Sequence, residues 1–502
     1  MKKIFLLFAA VTLIGFSSCD LTELPETATE TDKALATFEG LDQASCVVYS
    51  GVRGNYGLSL SLYPDLMCGN CVTGDPIDTG GRGSFAHQWN FTVENGGMSV
   101  YASCYGSIMM CNNVIHKIKT QPEVYLAEEG VTQQDLDNLL AECYFVRAFM
   151  YYDLVRWYGQ PYRVIKQHYD PSRPAAEQDL VPEVLGVPIV KEDINENVLD
   201  KPARRHVMEN YEYIIADLKA ALQLLDPNFT RAGVKDTKSM VSLGAINAVL
   251  SRVYLSIQDW ANAEFYASEV INSGVYAIAN ANDYKTFWAE ATWTNIREVV
   301  FGVYVDQQEG VMNGGPGSLT DPTNGYGDVR VSNDLLSIMD EDDVRYTMLR
   351  TTKDYADYKW PNKYQGKKGM TINHSSVAII RISEVYLNRA EARLRQGLVD
   401  AAMRDVNMVR ENRGVELFEV EDTNIDNLFD ERRRELAFEG HIFHDYKRWN
   451  ADGQGKNLDR TDTNLPATSK DNDIDADDKR WTMPISRDEQ NVNGNLQQTL
   501  GW

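Results

Sequence analysis

One stretch near the C-terminus, residues 431–449, interleaves large apolar side chains with arginines and glutamates. The apolar residues recur at spacings that place them along one side of a helix, and they are Leu428, Phe429, Leu436, Phe443, Tyr446 and Trp449. The charged residues between them can be buried only if they are paired, because removing one partner of a buried ion pair costs roughly 3 to 5 kcal/mol. The stretch therefore predicts a single buried helix held by ion pairs, and a structural role is favoured over a catalytic one.

The overall charge argues against a nucleic-acid partner. The chain has 502 residues with 49 basic and 73 acidic side chains, which gives a net charge of −24. A surface this acidic repels phosphate backbones. The 43% of hydrophobic residues are ample for a large core, and length alone would predict about three domains, although repeat folds often exceed that size as one body.

The N-terminus has the features of an export signal. Two lysines precede an apolar run over residues 4–14, which is too short to span a bilayer as a helix. We expect residues 1–18 to be a signal peptide, and the small residues before Cys19 resemble a lipoprotein box, which implies that Cys19 is lipidated. Residues 19–33 are then predicted to be a flexible tether that connects the lipid anchor to the folded body.

Six further cysteines lie in the first third of the chain, namely Cys46, Cys68, Cys71, Cys104, Cys111 and Cys143. An even number in an exported chain permits disulfides, in about 15 connectivities that the sequence does not distinguish. The spacing of Cys68 and Cys71 resembles a redox or metal-binding pair. Because no βαβ pattern or second pair accompanies it, a local disulfide or two buried thiols are favoured.

Hydrophobic periodicity predicts a mainly α-helical chain. Helices are predicted over residues 34–54, 98–119, 136–158 and 211–225, and a short strand over residues 298–304. Residues 243–272 and 379–412 follow the pattern of tetratricopeptide units, with a generic antiparallel helix pair as the alternative. Three long segments are predicted to be irregular, 55–97, 305–332 and 450–479, and loops of that length are usually functional or disordered.

Five blocks of the chain resemble, in order, the SusD/RagB family of outer-membrane nutrient-binding lipoproteins. They cover residues 141–159, 244–276, 380–414, 431–449 and 481–502. The resemblance implies a mainly α fold, in which tetratricopeptide-like helix pairs form a single SusD-like body over residues 34–502, with long irregular loops and a few short strands. It also implies that residues 34–330 carry the ligand-binding loops and residues 331–502 the signature helices. The tail departs slightly, since residues 496–502 stand where the family often has Asn-Pro-Gly-Tyr.

The resemblance also implies a function and a location. Members of the family sit at the cell surface as lids on a SusC-like, TonB-dependent outer-membrane transporter, and they pass it oligosaccharides or, in some cases, peptides. We therefore expect a lipid-anchored binding protein of the outer membrane with a glycan as the favoured ligand. The rival hypotheses are a peptide or another nutrient on the same fold, a tetratricopeptide-like scaffold, and a glycan hydrolase.

Glycan binding requires exposed aromatic rings flanked by side chains that pair with hydroxyl groups. We expect such residues in or near the irregular segments, because the aromatic residues of the helices are needed for packing. The predicted ligand-binding residues are Arg82, Trp89, Asn95, Trp288, Trp293, Asn324 and Tyr326. The alternative for each tryptophan is packing against its own domain.

No catalytic, cofactor or metal-binding residue is predicted. The sequence contains no Gly-x-Ser-x-Gly elbow and no phosphate loop ending in Gly-Lys-Ser/Thr. His441 and His444 lie among packed apolar residues and are expected to be core or interface residues. The acidic tract 471–478 lacks the glycine and the glutamate of an EF-hand and is predicted to be a solvated loop, with weak Ca²⁺ binding left open.

Overall fold

Helices form most of the structure, a computed structural model of the chain. It describes residues 33–74, 76–77, 89, 91–94, 100–192, 201–305, 314–450, 457–460 and 473–502. The predicted signal peptide, the lipidation site Cys19, nearly all of the tether and the site residues Arg82 and Asn95 lie outside the described residues. Within them, the predicted mainly α architecture with a few short strands is confirmed.

The α-helices, in chain order, are α1 (Phe38–Val47), α2 (Tyr49–Asn55), α3 (Tyr63–Met67), α4 (Tyr101–Thr120), α5 (Pro122–Leu126), α6 (Gln133–Tyr158), α7 (Tyr162–His168), α8 (Val207–Leu224), α9 (Leu243–Ser256), α10 (Trp260–Asn272), α11 (Ala281–Phe287), α12 (Pro316–Thr320), α13 (Asn333–Ser337), α14 (Ile382–Arg395), α15 (Val399–Arg413), α16 (Ile425–Leu436), α17 (Ile442–Asn450) and α18 (Arg487–Val492). In the described part of the chain, none of them is both long and apolar enough to cross a bilayer.

Short strands pair two by two. They are β1 (Cys71–Thr73), β2 (Val299–Val303), β3 (Val329–Val331), β4 (Leu349–Arg350), β5 (Trp360–Pro361), β6 (Val377–Arg381), β7 (Leu458–Asp459) and β8 (Asp473–Ile474). The antiparallel pairs are β1–β3, β2–β6, β4–β5 and β7–β8. The strand predicted before the second irregular segment is confirmed as β2.

The central helix is α6, which is buried on several sides as its apolar sequence predicts. Thr132 begins the helix with a capping box, because its hydroxyl accepts the N–H of Asp135 while the Asp135 carboxylate accepts the N–H of Thr132. Its 26 residues span about 39 Å. Helices α4 and α8 pack against α6, and the extended Gly159 ends it. This helix therefore organises the first half of the fold.

Stacked helix hairpins organise the second half. Helix α9 packs against α10, α10 against α14, and α14 against α15, which is the arrangement expected of two successive tetratricopeptide-like pairs. The small residues Ala263 and Ala267 of α10 are fully buried, and Ser251 of α9 donates to the carbonyl of Ala263 (3.2 Å). Small side chains thus allow the two helices to approach closely.

A buried ion-pair core joins the strands β2 and β6 to the C-terminal helices. We define the ion-pair core as Glu298, Arg381, Arg413, Glu435 and Glu439. Arg381, which is 0% exposed, donates to Glu298 (2.8 Å), to Glu435 (2.7 Å) and to both carboxylate oxygens of Glu439 (2.7 and 2.8 Å). Arg413 binds both carboxylate oxygens of Glu435 (2.9 and 2.8 Å). The structural network predicted from the C-terminal stretch is therefore confirmed.

The prediction of a single helix over residues 431–449 is wrong. The chain turns between α16 and α17, so that this stretch forms parts of two helices. Phe438 and Gly440 have positive φ angles of 71° and 80°, and a Cβ atom at Gly440 would lie 2.1 Å from the carbonyl oxygen of Leu60. The buried Asp65 accepts the N–H groups of both Phe438 (2.8 Å) and Gly440 (3.2 Å). Lys363 donates to the carbonyls of Glu435 and Ala437 at the end of α16. These carbonyls have no partner within the helix, and Lys363 supplies a hydrogen bond to each.

The cysteines and histidines that could suggest chemistry are structural. All six described cysteines are free thiols, and five are buried while Cys46 is exposed. Burial raises the pKa of both Cys68 and Cys71, which suits buried thiols and opposes thiolate chemistry. His444 packs edge-on against Trp157 (4.7 Å between ring centroids). In the part of the chain that the structure describes, no group of three or more His, Cys, Asp or Glu could hold a metal ion.

We predict that Arg381→Met lowers the free energy of unfolding by about 3 to 5 kcal/mol, because it leaves three carboxylates buried without their shared partner. The control is Arg205→Met, which removes an exposed ion pair with Glu209 (2.9 Å, Arg205 side chain 41% exposed) and should cost at most about 1 kcal/mol. Urea denaturation at pH 7 measures both values. Equal losses in the two variants would contradict the role of the ion-pair core.

Candidate ligand-binding surface

Three tyrosines lie shortly before the strands β3 and β5, which pack against each other: Tyr326 precedes β3, and Tyr355 and Tyr358 precede β5. We call Tyr326, Tyr355 and Tyr358, together with Asn324, the tyrosine surface. Tyr326 is 37% exposed and Asn324 is exposed, whereas Tyr355 and Tyr358 are half-buried. The surface thus combines aromatic rings with an amide side chain, at the edge of the second segment that the sequence predicts to be irregular.

The buried Trp360 contacts both the loop of Tyr326 and the segment that carries Tyr355 and Tyr358. Its indole N–H donates to the carbonyl of Gly327 (3.0 Å), which follows Tyr326 directly. Its ring centroid lies 6.0 Å from that of Tyr355 and 6.4 Å from that of Tyr358. Because Trp360 is fully buried, it fixes the loop and the hairpin relative to each other.

The turn that presents Asn324 and Tyr326 is fixed by one carboxylate. Asp321 accepts the N–H groups of Thr323 (2.8 Å) and Asn324 (2.9 Å), and its other oxygen pairs with Arg350. The N–H of Tyr326 donates to a carbonyl of α12 (2.7 Å). Burial raises the pKa of Asp321, but the two backbone donors and the guanidinium outweigh burial and keep that pKa below its usual range. The turn is therefore held by a charged carboxylate at neutral pH.

Gly327 is required by close packing behind the turn. Its φ angle is 62°, and a Cβ atom there would lie 2.6 Å from the Cα of Pro322 and 3.0 Å from the Cδ1 of Ile77. Ile77 belongs to the segment that leaves β1 and bridges back to Gly74. The loop of Tyr326 and the end of the β1 segment are consequently in contact.

Hydrogen bonds connect the β1–β3 pair, whose strand β3 follows Tyr326 in the chain, to the turn between α16 and α17. Asp65, which receives the backbone N–H groups of that turn, also accepts from the side chain of Asn70 (2.7 Å). The carbonyl of Asn70 accepts the N–H of Ser332 (3.1 Å), directly after β3, and Arg433 donates to the amide oxygen of Asn70 (2.6 Å). Burial raises the pKa of Asp65 to about 6, although all three donors favour its charged form. The β1–β3 pair is thus anchored to the rigid core.

The three tryptophans predicted to bind ligand lie in the core. Trp89, Trp288 and Trp293 are 1%, 3% and 2% exposed. The indole N–H of Trp89 donates to the carbonyl of Met67 (2.7 Å), and its ring lies 5.0 Å from that of Trp481. The outward-facing rings expected from the sequence are therefore not found at these positions, and the alternative, packing against the same domain, describes them.

The charged core explains why two of these tryptophans are buried. The Trp288 ring lies 5.2 Å from the Lys363 ammonium and 5.3 Å from the Arg381 guanidinium, so it shields the ion-pair core from water. Trp293 occupies the space that a side chain at Gly302 would fill, because a Cβ atom there would lie 2.9 Å from its ring. Partners so distant in sequence could not be identified from spacing.

Two of the four residues of the tyrosine surface, Asn324 and Tyr326, are among those predicted from the sequence. Both are exposed, as expected, and their ligand contacts stay a prediction. Tyr355 and Tyr358 are not among the predicted residues. Residues 355–360 read Tyr-Ala-Asp-Tyr-Lys-Trp, and this concentration of aromatic residues in a polar segment is the signal that could have found them. Their link to Tyr326 depends on Trp360 and is visible only in the fold.

Comparisons with known proteins agree with this architecture. A protein-family model described as the SusD family matches residues 259–502, and one described as starch-binding associating with outer membrane matches residues 81–255. A SusD-like protein, P2, of Formosa agariphila is 26% identical over an alignment that covers 89% of this chain and 90% of that protein. The two family models together cover most of the chain.

Solved structures are similar over nearly their whole length. A SusD superfamily protein from Bacteroides thetaiotaomicron has a TM-score of 0.78 at 25% identity, and the match covers 92% of this chain and 99% of that protein. A candidate sugar-binding protein from Bacteroides vulgatus has a TM-score of 0.75 at 26% identity, with coverages of 93% and 99%.

We predict that Asp321→Ala loosens the turn of the tyrosine surface. Two backbone donors lose a charged acceptor, an effect of roughly 1.5 to 3 kcal/mol, so the amides of residues 323–326 should exchange with deuterium at least about tenfold faster. Hydrogen exchange followed by mass spectrometry measures this. The control is Asp354→Ala, an exposed residue of the 351–358 segment. Unchanged exchange in Asp321→Ala would show that another contact holds the turn.

Proposed function

This chain belongs to the SusD family, and we propose that it binds oligosaccharides at the tyrosine surface. The observation that carries the proposal is the exposed ring of Tyr326 on a turn that Asp321 and Arg350 hold in place. The matched family is described as starch-binding, and one similar structure is a candidate sugar-binding protein, which supports a glycan as the ligand class.

The chemistry of the tyrosine surface suits a sugar. Pyranose rings present apolar faces edged by hydroxyl groups, and a tyrosine ring provides an apolar face and a hydroxyl of its own. Asn324 offers both a donor and an acceptor next to Tyr326. The surface needs little ordering on binding, because its turn is already fixed, and preorganisation lowers the entropic cost of recognition.

We propose that the protein binds and releases its ligand without breaking bonds. In this proposal the tyrosine surface holds the oligosaccharide by stacking and hydrogen bonds, and the helical body docks on a SusC-like, TonB-dependent transporter that takes up the ligand. A lipid on Cys19 would hold the protein at the outer membrane, exposed at the cell surface. The rigid frame supports this division of labour, because it leaves recognition to the loops.

We predict that Tyr326→Ala weakens oligosaccharide binding about tenfold, because a ring that stacks on a sugar contributes on the order of 1 to 1.5 kcal/mol. The control is Phe265→Ala, which removes another exposed ring (53% exposed) from the helix α10 and should leave affinity unchanged. Isothermal titration calorimetry with starch-derived and other neutral oligosaccharides, and with oligopeptides, measures the affinities. Binding of peptides alone, or equal affinities in both variants, would overturn the proposed ligand or site.

We predict that Cys19→Ser abolishes membrane attachment, because the acyl chains can no longer be joined to the chain. The variant should move from the membrane fraction to the soluble fraction and lose incorporation of radiolabelled palmitate. The matched control is Cys46→Ser, which changes the exposed thiol of the folded body and should keep the label. A Cys19→Ser protein that is still labelled would refute the anchor.

A further inference from the structure

A polar cavity of about 60 Å³ lies beside the C-terminal end of α6, and none of the residues of the tyrosine surface lines it. Helices α6, α8, α9, α14, α16 and α17 contribute to its wall. Five cationic side chains line it, namely Arg156, Arg252, Arg432, Lys447 and Arg448, together with the two carboxylates of Glu384 and Asp445. The lining therefore has more basic than acidic side chains, and two carboxylates outside the lining, Asp153 and Glu391, pair with Arg156 and Arg448.

Two of these arginines make hydrogen bonds through all three guanidinium nitrogens or through both of their terminal nitrogens. Arg432 donates to both oxygens of Asp445 (3.2 and 3.0 Å) and to the amide oxygen of Asn388 (2.8 Å). Arg448 pairs with Glu391, which stands behind the wall, and with Asp445 (2.8 Å). These two arginines hold the wall together and leave little capacity for a ligand.

Arg252 leaves one guanidinium nitrogen, Nη1, and Arg156 leaves two, Nε and Nη1, without a hydrogen-bond partner among the described residues. Arg252 binds Glu384 and the carbonyl of Ile379 through Nε and Nη2 only, and Arg156 binds Tyr56 and Asp153 through Nη2 only. The Nη1 of each makes no hydrogen bond with the described residues, and both side chains line the cavity. Both arginines are paired with carboxylates, Asp153 and Glu384, yet each keeps N–H groups that could bind an anion in the cavity.

Two basic groups of the wall, His444 and Lys447, lie in a positive field, whereas Glu384 opposes that field at His441. Burial lowers the pKa of His444, and Arg156, Lys447, His441 and Arg252 lower it further. Burial and Arg156 likewise lower the pKa of Lys447, whose ammonium nitrogen donates to the carbonyls of Arg156 (2.7 Å) and Gly159 (2.8 Å). A negative charge in the cavity would relieve this repulsion, whereas a cation would increase it.

We propose that this cavity is a binding site for a small oxyanion, a phosphate, sulfate or carboxylate group held between Arg156 and Arg252. Planar guanidinium groups match the oxygen pairs of such ions. The rest of the protein opposes non-specific attraction of anions, since its net charge is −24, so binding there has to come from the local wall. The site is distinct from the tyrosine surface and does not depend on the proposed function.

The residues Gln160 and Tyr162 border the cavity and are half-buried, so they lie where an ion could enter. Gln160→Glu adds a negative charge there without changing the shape of the side chain, and Gln160 makes no hydrogen bond with the described residues. The ion-pair partners of the wall stay intact in this variant. The matched control is Gln167→Glu on the exposed side of α7, which adds the same charge away from the cavity.

Isothermal titration calorimetry on residues 20–502 tests the proposal, with inorganic phosphate, sulfate and glucuronate at constant ionic strength. We expect saturable one-to-one binding of at least one of them, weakened at least about fivefold by Gln160→Glu and less than about twofold by Gln167→Glu. Tighter binding of phosphate or sulfate would identify a free inorganic ion, and tighter binding of glucuronate would identify the carboxylate of an acidic sugar. No saturable binding of any of the three, or equal weakening in both variants, would overturn the site.

Discussion

The guanidinium of Arg381 is the interaction on which the rest of the structure depends. It stands at the end of β6 and the start of α14, and its buried N–H groups reach Glu298 before β2, Glu435 in α16 and Glu439 in the turn before α17. Arginine suits this position because its planar donors satisfy several carboxylates at once. Burial raises the pKa of Glu435, but Arg413 and Arg381 outweigh burial and hold that pKa well below its usual range, so Glu435 is charged at neutral pH. The guanidinium of Arg381 therefore joins elements that lie far apart in the sequence.

Buried hydrogen bonds connect the segment that carries Tyr326 to this core. Asp65 accepts a backbone N–H group of the turn that carries Glu439, and it also accepts from the side chain of Asn70. The carbonyl of Asn70 accepts the N–H of Ser332, directly after β3. Each bond is buried, so water competes weakly with it. A loop attached to such a frame can present an exposed ring in a defined orientation. The structure thus separates a frame that is rich in paired charges from the tyrosine surface, where one ring and one amide side chain are exposed.

Sequence reasoning found the elements of this frame but not its connections. The density of arginine and glutamate in residues 431–449 predicts ion pairing, since unpaired charges could not be buried, and the prediction is confirmed. The end of the helix before Phe438 could not be predicted from local sequence. The positive φ angle of Phe438 is stabilised by a hydrogen bond to Asp65, more than 370 residues earlier in the chain. For the same reason Trp288 looked like a loop tryptophan, although it covers Arg381. Short-range patterns identify what a helix needs, and only the fold identifies which distant residue supplies it.

The cavity beside α6 is also built from buried ion pairs between arginines and carboxylates. Arginines meet at the cavity because each pairs with a carboxylate, Arg252 of α9 with Glu384 of α14 and Arg156 with Asp153 of its own helix α6. Pairing neutralises the net charge of each contact but does not use every N–H group, because two carboxylate oxygens cannot satisfy all five donors of one guanidinium. Where two such arginines face one space, their unused donors create a local positive field inside an acidic protein. Ion pairs that hold helices together can in this way produce an anion site without any residue being added for that purpose.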